Sequence, residues 1–341
     1  MAIARDLRYH AAMQRAEYWI LGEGGQVQCT LCPHRCVIPE GRTGKCRVRG
    51  VRNGELIALG YGRLSSAHID PIEKKPLYHF YPGQSIFSAG GWGCNLGCTF
   101  CQNCTISQTG APEAEVQAPA AVVAAAAGTL GIAYTYNEPT VGFEYVRDMA
   151  QLAREEGFKN VLVTNGHFNA EPAAELLPLM DALNIDIKSM DASFYREQCG
   201  GDVAAVLALA AQAVAAGCHV ELTNLLIPGL NDSDGQIEVL ARWVVSELGV
   251  TVPLHLSGYH PAFKMTRSAT PVRTLERAWE LCRERLEYVY LGNLRSTVGQ
   301  DTACPGCHAV LIRRDGYKVA QIGLASGRCQ ACGRVADMIL A

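Results

Sequence analysis

The chain has 341 residues, 49% hydrophobic and 18% charged, and its 30 Lys and Arg against 33 Asp and Glu give a formal net charge of -3. This suits one large α/β domain with one or two small appendages, and it excludes a disordered chain or one with a global basic footprint for nucleic acid. No stretch approaches the ~18 apolar residues of a membrane span, Met1 to His10 lack the apolar core of a signal peptide, and the chain reads as cytoplasmic. Local basic stretches at Arg42 to Arg52 and Arg313 to Arg334 read as solvated surface.

In a reducing compartment 15 cysteines do not make a disulfide framework, so metal ligation is the default reading. Most fall into three groups of four, while Cys199, Cys218 and Cys282 sit in apolar or helical surroundings and read as core packing. The first group is Gln28-Cys29-Thr30-Leu31-Cys32-Pro33-His34-Arg35-Cys36 with Cys46 following in Gly41-Arg42-Thr43-Gly44-Lys45-Cys46. Nearby prolines and glycines suit a ligand loop, and the ligand types fit zinc or an iron–sulfur cluster equally. A thioredoxin-like pair would need a strand-to-helix context that this run lacks.

Further on, short apolar runs alternate with helical stretches. Strands are predicted at Ser85 to Ala89, Ile132 to Tyr136, Asn160 to Thr164, Leu183 to Ile187, His219 to Leu226, Val252 to Leu256 and Tyr288 to Leu291. Helices are predicted at Ala120 to Ala127, Val141 to Glu156, Pro172 to Met180, Val203 to Ala216, Ser233 to Glu247 and Val272 to Leu286. Such alternation implies a mostly parallel sheet with right-handed crossovers, either a partial (β/α)6-type barrel or a doubly wound sheet. The expected organisation is a Cys-rich segment over residues 1–80, the α/β body over 81–300 and a small ribbon-like tail over 301–341.

The strand ends carry the chemistry. Cys94, Cys98 and Cys101 lie within Trp92-Gly93-Cys94-Asn95-Leu96-Gly97-Cys98-Thr99-Phe100-Cys101, just after the first predicted strand. With Cys104 the run also reads as a closed four-thiolate site, a bacterial ferredoxin run reversed. Downstream ends supply Asn137-Glu138-Pro139, Thr164-Asn165-Gly166, Asp186-Ile187-Lys188, Ile227-Pro228-Gly229 and His255 to His260. In barrels that face builds the active site from several strands. Taken alone, Asp186 and Lys188 would be a surface ion pair, and His167, His219 and His255 structural or solvent-facing.

The Cys-x3-Cys-x2-Cys run with Phe100 before its last Cys resembles the signature of the radical S-adenosylmethionine (SAM) superfamily. That resemblance implies a [4Fe-4S] cluster on Cys94, Cys98 and Cys101, SAM on its open iron, and Cys104 as a neighbouring free thiol. Over about Ser85 to His260 the likeness is closest to glycyl-radical activating enzymes and their relatives, and it implies SAM contacts at Phe100, Asn137, Glu138, Thr164, Asn165, Asp186, Lys188, Ile227 and His260. Glu138 and Lys188 also complement SAM's ammonium and carboxylate on chemical grounds. Two departures weaken the activating-enzyme reading: Val163 stands where that pattern has Asp, and Thr223 where Arg is expected.

At the C-terminus, Cys304-Pro305-Gly306-Cys307 and Cys329-Gln330-Ala331-Cys332 make paired knuckles, a zinc-ribbon signal. Cys304 to His308 also spells a haem-attachment motif, which would leave the second knuckle unexplained. The N-terminal Cys run, Tyr136-Asn137-Glu138-Pro139-Thr140, Leu291-Gly292-Asn293 and the knuckle tail together resemble the radical SAM member of the AmmeMemoRadiSam system across nearly the whole chain. This implies an external one-electron reductant and partners of the AMMECR and Memo types. Three functions follow: a radical SAM enzyme abstracting hydrogen from a substrate, a glycyl-radical activase, or a non-catalytic iron–sulfur and zinc protein that carries electrons or binds RNA.

Overall fold

The computed structural model describes residues 14–294, 296 and 298–341, and Met1 to His10 lie outside the described residues. Strands β1 (Ser66–Pro71), β2 (Ser85–Gly90), β3 (Gly131–Tyr134), β4 (Lys159–Thr164), β5 (Ala182–Asp186), β6 (His219–Leu226), β7 (Leu254–Gly258) and β8 (Val289–Gly292) form one eight-stranded sheet in chain order. Only the β1–β2 pair is antiparallel; every later pair is parallel. Helices α1 (Pro119–Ala125), α2 (Phe143–Glu155), α3 (Ala170–Leu176), α4 (Val203–Ala215), α5 (Asp234–Glu247) and α6 (Val272–Arg283) connect consecutive parallel strands.

Strand order decides between the two expected architectures. A doubly wound sheet reverses direction part-way, whereas this one never does, so right-handed crossovers put every helix on one face and favour curling toward a barrel. Among the described residues β1 and β8 do not pair, and the barrel stays open. The central strands are buried on both faces because helices cover one side and the barrel contents the other, as in Asn160, Val161 and Leu162. Gly131 has a φ of 155°, and a Cβ there would stand 2.0 Å from the Lys159 carbonyl, so only glycine lets β3 start this close to β4.

Local signals set the helices. Asp202 caps α4 by accepting from Ala204 N at 3.0 Å, and Ser233 with Gln236 forms a capping box on α5. In α2, Phe143, Val146, Ala150 and Ala153 are buried at helical spacing, and the helix packs on β3 and β4. Strand β1 escapes sequence reading because its one large apolar residue, Ile69, is exposed. Its place comes from antiparallel pairing with β2, from Ser66 opposite Gly90 to Pro71 opposite Ser85.

Both cysteine-rich flanks are fastened to the barrel. Tyr78 N and His79 N donate to the buried Glu221 carboxylate at 3.0 and 2.7 Å, and His219 and His255 bond the same group. The C-terminal module contains a three-stranded sheet of Thr302–Ala303, Val310–Asp315 and Lys318–Gln321. Its Arg314 donates to the Tyr78 carbonyl at 2.8 Å and stacks over the Tyr78 ring at 4.1 Å. Near the N-terminus, Arg49 and Glu144 pair at 2.9 Å with side chains 1% and 0% exposed.

Glu144→Ala would strand the Arg49 charge without a partner, and we expect a loss of about 3–5 kcal/mol in unfolding free energy. The paired change Arg49→Met with Glu144→Leu should recover most of it, because no buried charge remains. Denaturant melts of the metal-free chains measure both, and a Glu144→Ala midpoint equal to wild type rules out the ion pair as a stabilising contact.

Candidate active site

The cysteine loop after β2 is held by the ends of neighbouring strands. Asn137, after β3, accepts from Gly91 N at 2.9 Å and donates to the carbonyls of Trp92 and Gly93 at 3.0 Å each. Asn165, after β4, donates to Cys94 Sγ at 3.4 Å and to Asn95 Oδ1 at 3.0 Å. On the far side, Gly97 N and Thr99 N donate to the carbonyls of Cys199 and Gln198, both at 2.8 Å. Gly93 has a φ of 78°, and a Cβ there would lie 2.3 Å from the Cys46 carbonyl.

Glu138 organises the strand ends from within. It is 1% exposed. Its Oε1 accepts from Thr140 N, Thr140 Oγ1 and Thr164 Oγ1 at 3.1, 2.8 and 2.7 Å, and its Oε2 accepts from Asn165 N at 2.7 Å. Burial raises its pKa above the ordinary carboxylate value, although all four donors favour the charged form. By lone-pair count Oε2 has room for one more donor.

A cavity of about 510 Å³ gathers these groups. Cys94, Cys98, Phe100, Cys101, Asn137, Glu138, Thr164, Asn165, Asp186 and Lys188 all line it, as do Val163 and Thr223. Lys188 Nζ lies 3.1 Å from Asp186 Oδ2. Burial opposes its charge, but Asp186 and the nearby Cys98 and Cys199 sulfurs hold it well above the usual lysine pKa. Ile227 and His260 are not among the lining residues: Ile227 is fully buried, with its N–H bonded to Asn231 Oδ1. His260 is exposed and reaches the wall through Gln102, 3.3 Å from its Nδ1.

The thiols differ in surroundings. Burial pushes Cys94 well above an ordinary thiol pKa and also raises Cys101, whose Sγ lies 3.1 Å from Ser107 Oγ. Cys98 is held lower, chiefly by a hydrogen bond from Cys199. Cys199 is buried, as a core residue should be, yet it also partners a cavity thiol. No spacing signal linked it to the loop, because Cys98 and Cys199 meet only through the fold. Cys104 does not line the cavity.

Sequence reading also missed one wall. Lys74, Lys75 and Tyr136 line the cavity. Lys75 is 1% exposed, 2.8 Å from Asp70 Oδ2 and 4.6 Å from the Tyr136 ring centroid. Burial works against the Asp70 charge, but Lys74, Lys75 and the Tyr136 hydroxyl hold its carboxyl far below the usual range. An Asp and a Lys five residues apart look like surface residues until the fold buries both Asp70 and Lys75. Tyr317, from the C-terminal hairpin, lines the same cavity.

Three soft thiols around one cavity fit a group larger than a single ion. Among the described residues, only Cys304, Cys307, Cys329 and Cys332 bring their ligand atoms all within 4.8 Å of one another. Cys94, Cys98 and Cys101 are not part of such a group, and three thiols on the wall of one cavity are the ligand type that a polynuclear cluster takes.

The sequence pattern of the radical SAM superfamily matches residues 91–244, which span the cysteine loop and the ends of β3 to β6. The chain belongs to the radical SAM superfamily. It is 41% identical over 336 residues to the uncharacterized protein MJ0808 of Methanocaldococcus jannaschii, covering 96% of this chain and all of that one, 100%. A shorter match, 26% over 119 residues, 35% of this chain and 38% of the other, is to the (2S)-3-sulfopropanediol dehydratase activating enzyme of Klebsiella oxytoca. Among solved structures, a domain of pyruvate-formate lyase-activating enzyme from Bacteroides vulgatus aligns with a TM-score of 0.43 at 20% identity, over 48% of this chain and 99% of that one.

A radical SAM domain implies a [4Fe-4S] cluster and SAM, members of the superfamily are generally enzymes, and they need an external reductant. The three cavity thiols fit that cluster. No single described helix is long and apolar enough to cross a membrane.

Glu138→Ala would leave the buried donors of Thr140, Thr164 and Asn165 without an acceptor. We expect a loss of about 1–3 kcal/mol for each donor that stays dry, read as a lowered denaturation midpoint. An unchanged midpoint contradicts the four-donor arrangement.

Proposed function

We propose that this protein binds SAM against a [4Fe-4S] cluster on Cys94, Cys98 and Cys101 and uses it to abstract hydrogen from a substrate in the cavity. When bound, these groups supply reductive cleavage of SAM to methionine and a 5′-deoxyadenosyl radical. The observation that carries the reading is that a carboxylate, Glu138, and an ammonium, Lys188, line the same cavity as the three thiols. Glu138 Oε2 offers its remaining acceptor capacity to the SAM ammonium, and Lys188 pairs with the SAM carboxylate. Asn165 orients Cys94, Asn137 fixes the loop, and Phe100 walls the pocket against water, packing on Phe194 at 5.9 Å between ring centroids. His260 and Ile227 would act from the rim and from behind the wall.

A second reading is a glycyl-radical activase, favoured by the partial match to an activating enzyme. Val163 and Thr223, the two departures from that pattern, line the cavity and argue for a different substrate. The whole-chain resemblance to the AmmeMemoRadiSam radical SAM proteins supports AMMECR-type and Memo-type partners. For the C-terminal group we favour zinc: Cys304 and Cys332, like Cys307 and Cys329, have sulfurs 3.6 Å apart, close to the ~3.8 Å of tetrahedral zinc thiolate.

Reduced, anaerobically reconstituted protein should yield 5′-deoxyadenosine from SAM, and SAM should shift the paramagnetic resonance of its cluster. Absence of both sinks the proposal. Lys188→Gln should weaken SAM binding by about 10-fold or more with iron content unchanged. A protein radical appearing on a glycyl-radical partner would select the activase reading. Cys304→Ser with Cys329→Ser should lose about one zinc per chain and leave iron unaltered; retained zinc would remove the ribbon site.

A further inference from the structure

The N-terminal cysteines take no part in the site described above, yet they surround a cavity of their own. Cys29, Cys32, Cys36 and Cys46 line a small enclosed space with Arg49 and Asn95. Among the described residues these four do not form a group with all ligand atoms within 4.8 Å of one another, as the C-terminal cysteines do. A single zinc ion needs its thiolates about 3.8 Å apart, whereas a cluster sets several metal atoms between them.

A second observation comes from Arg49. Its side chain is 1% exposed, and Nη1 is occupied by Glu144 while Nη2 donates to the Glu17 carbonyl. Among the described residues the buried Nε–H has no acceptor. An orphaned cationic donor in the wall of a thiol-lined space is matched by the negative sulfurs of a bound cluster.

The third is adjacency. Asn95 lines this cavity while its Oδ1 accepts from Asn165 in the active site. His34 Nε2 lies 2.7 Å from the Asn95 carbonyl. On the other flank of Cys94, Gly93 meets the Cys46 carbonyl so closely that a Cβ would stand 2.3 Å from it. Both chain neighbours of Cys94 therefore touch the N-terminal cysteine site.

We propose that Cys29, Cys32, Cys36 and Cys46 hold a second iron–sulfur cluster that relays electrons to the group bound by Cys94, Cys98 and Cys101. The relay rests on the SAM reading above; the second cluster does not. One electron from an external low-potential one-electron donor reduces the second cluster, and its return to the oxidised state reduces the first. No bond is made or broken, and no proton moves.

The full chain is reconstituted anaerobically with iron and sulfide and compared with a Cys32→Ser, Cys36→Ser variant. Wild type should hold about twice the iron and sulfide of the variant. Reduced with dithionite, it should show two paramagnetic signals, one shifted by SAM, and the variant should lack only the unshifted one. Equal iron in both chains, or zinc bound at these cysteines, overturns the second cluster. Should the variant not fold, the wild-type spectrum decides alone: a single signal refutes the second cluster. Two signals that both ignore SAM would keep it and refute the SAM reading. In stopped flow, the SAM-responsive cluster should reduce more slowly in the variant with a protein donor; equal rates overturn the relay.

Discussion

A single dry carboxylate ties the active face together. Glu138 accepts four hydrogen bonds from donors after β3 and at the end of β4, and the two asparagines beside those donors, Asn137 and Asn165, grip the cysteine loop. A buried acceptor with this many partners resists displacement, since moving either strand end would leave several donors unsatisfied. The loop that bears Cys94 is therefore held on one side by the strand ends and on the other by the carbonyls of Gln198 and Cys199. Glu138 and, from just after β5, Lys188 line the same cavity, an acid and a base in one space.

Around that anchor, the open barrel leaves a gap that the flanks help fill. β1 leads to Lys74 and Lys75, which Asp70 holds, the C-terminal hairpin supplies Tyr317, and the N-terminal cysteine segment backs the Cys94 loop through Cys46 and Asn95. Neither flank is a loose appendage. Arg314 and the Arg49–Glu144 pair are buried charges whose satisfaction depends on docking, and buried charge is tolerated only when paired. The cavity mixes Lys74, Lys75 and Lys188 with Glu138 and Asp186, so its charges are nearly balanced and its selectivity rests on placement.

Much of this was legible before any folding was known. Strand and helix alternation places β2 to β8 within a few residues, with β6 matching its predicted bounds, because apolar runs and caps act locally. The ribbon knuckles are legible for the same reason, since four close thiols report their own geometry. Illegible were β1, whose apolar content is too low to mark a buried strand, and Cys199, whose partner is far away in sequence. Ile227 and His260 lie off the cavity wall, the first in a turn closed by Asn231 and the second outside it beside Gln102.

The sequence by itself determined the ligand types, their spacing and the succession of strands, since each depends on residues within one turn or one strand. Only the tertiary structure decided that the sheet is wound in a single direction, that Glu138 and Lys188 share a cavity with the thiols, and that two cysteine groups stand back to back. These are properties of pairing between distant segments, where register and crossover hand set distances that no local pattern encodes.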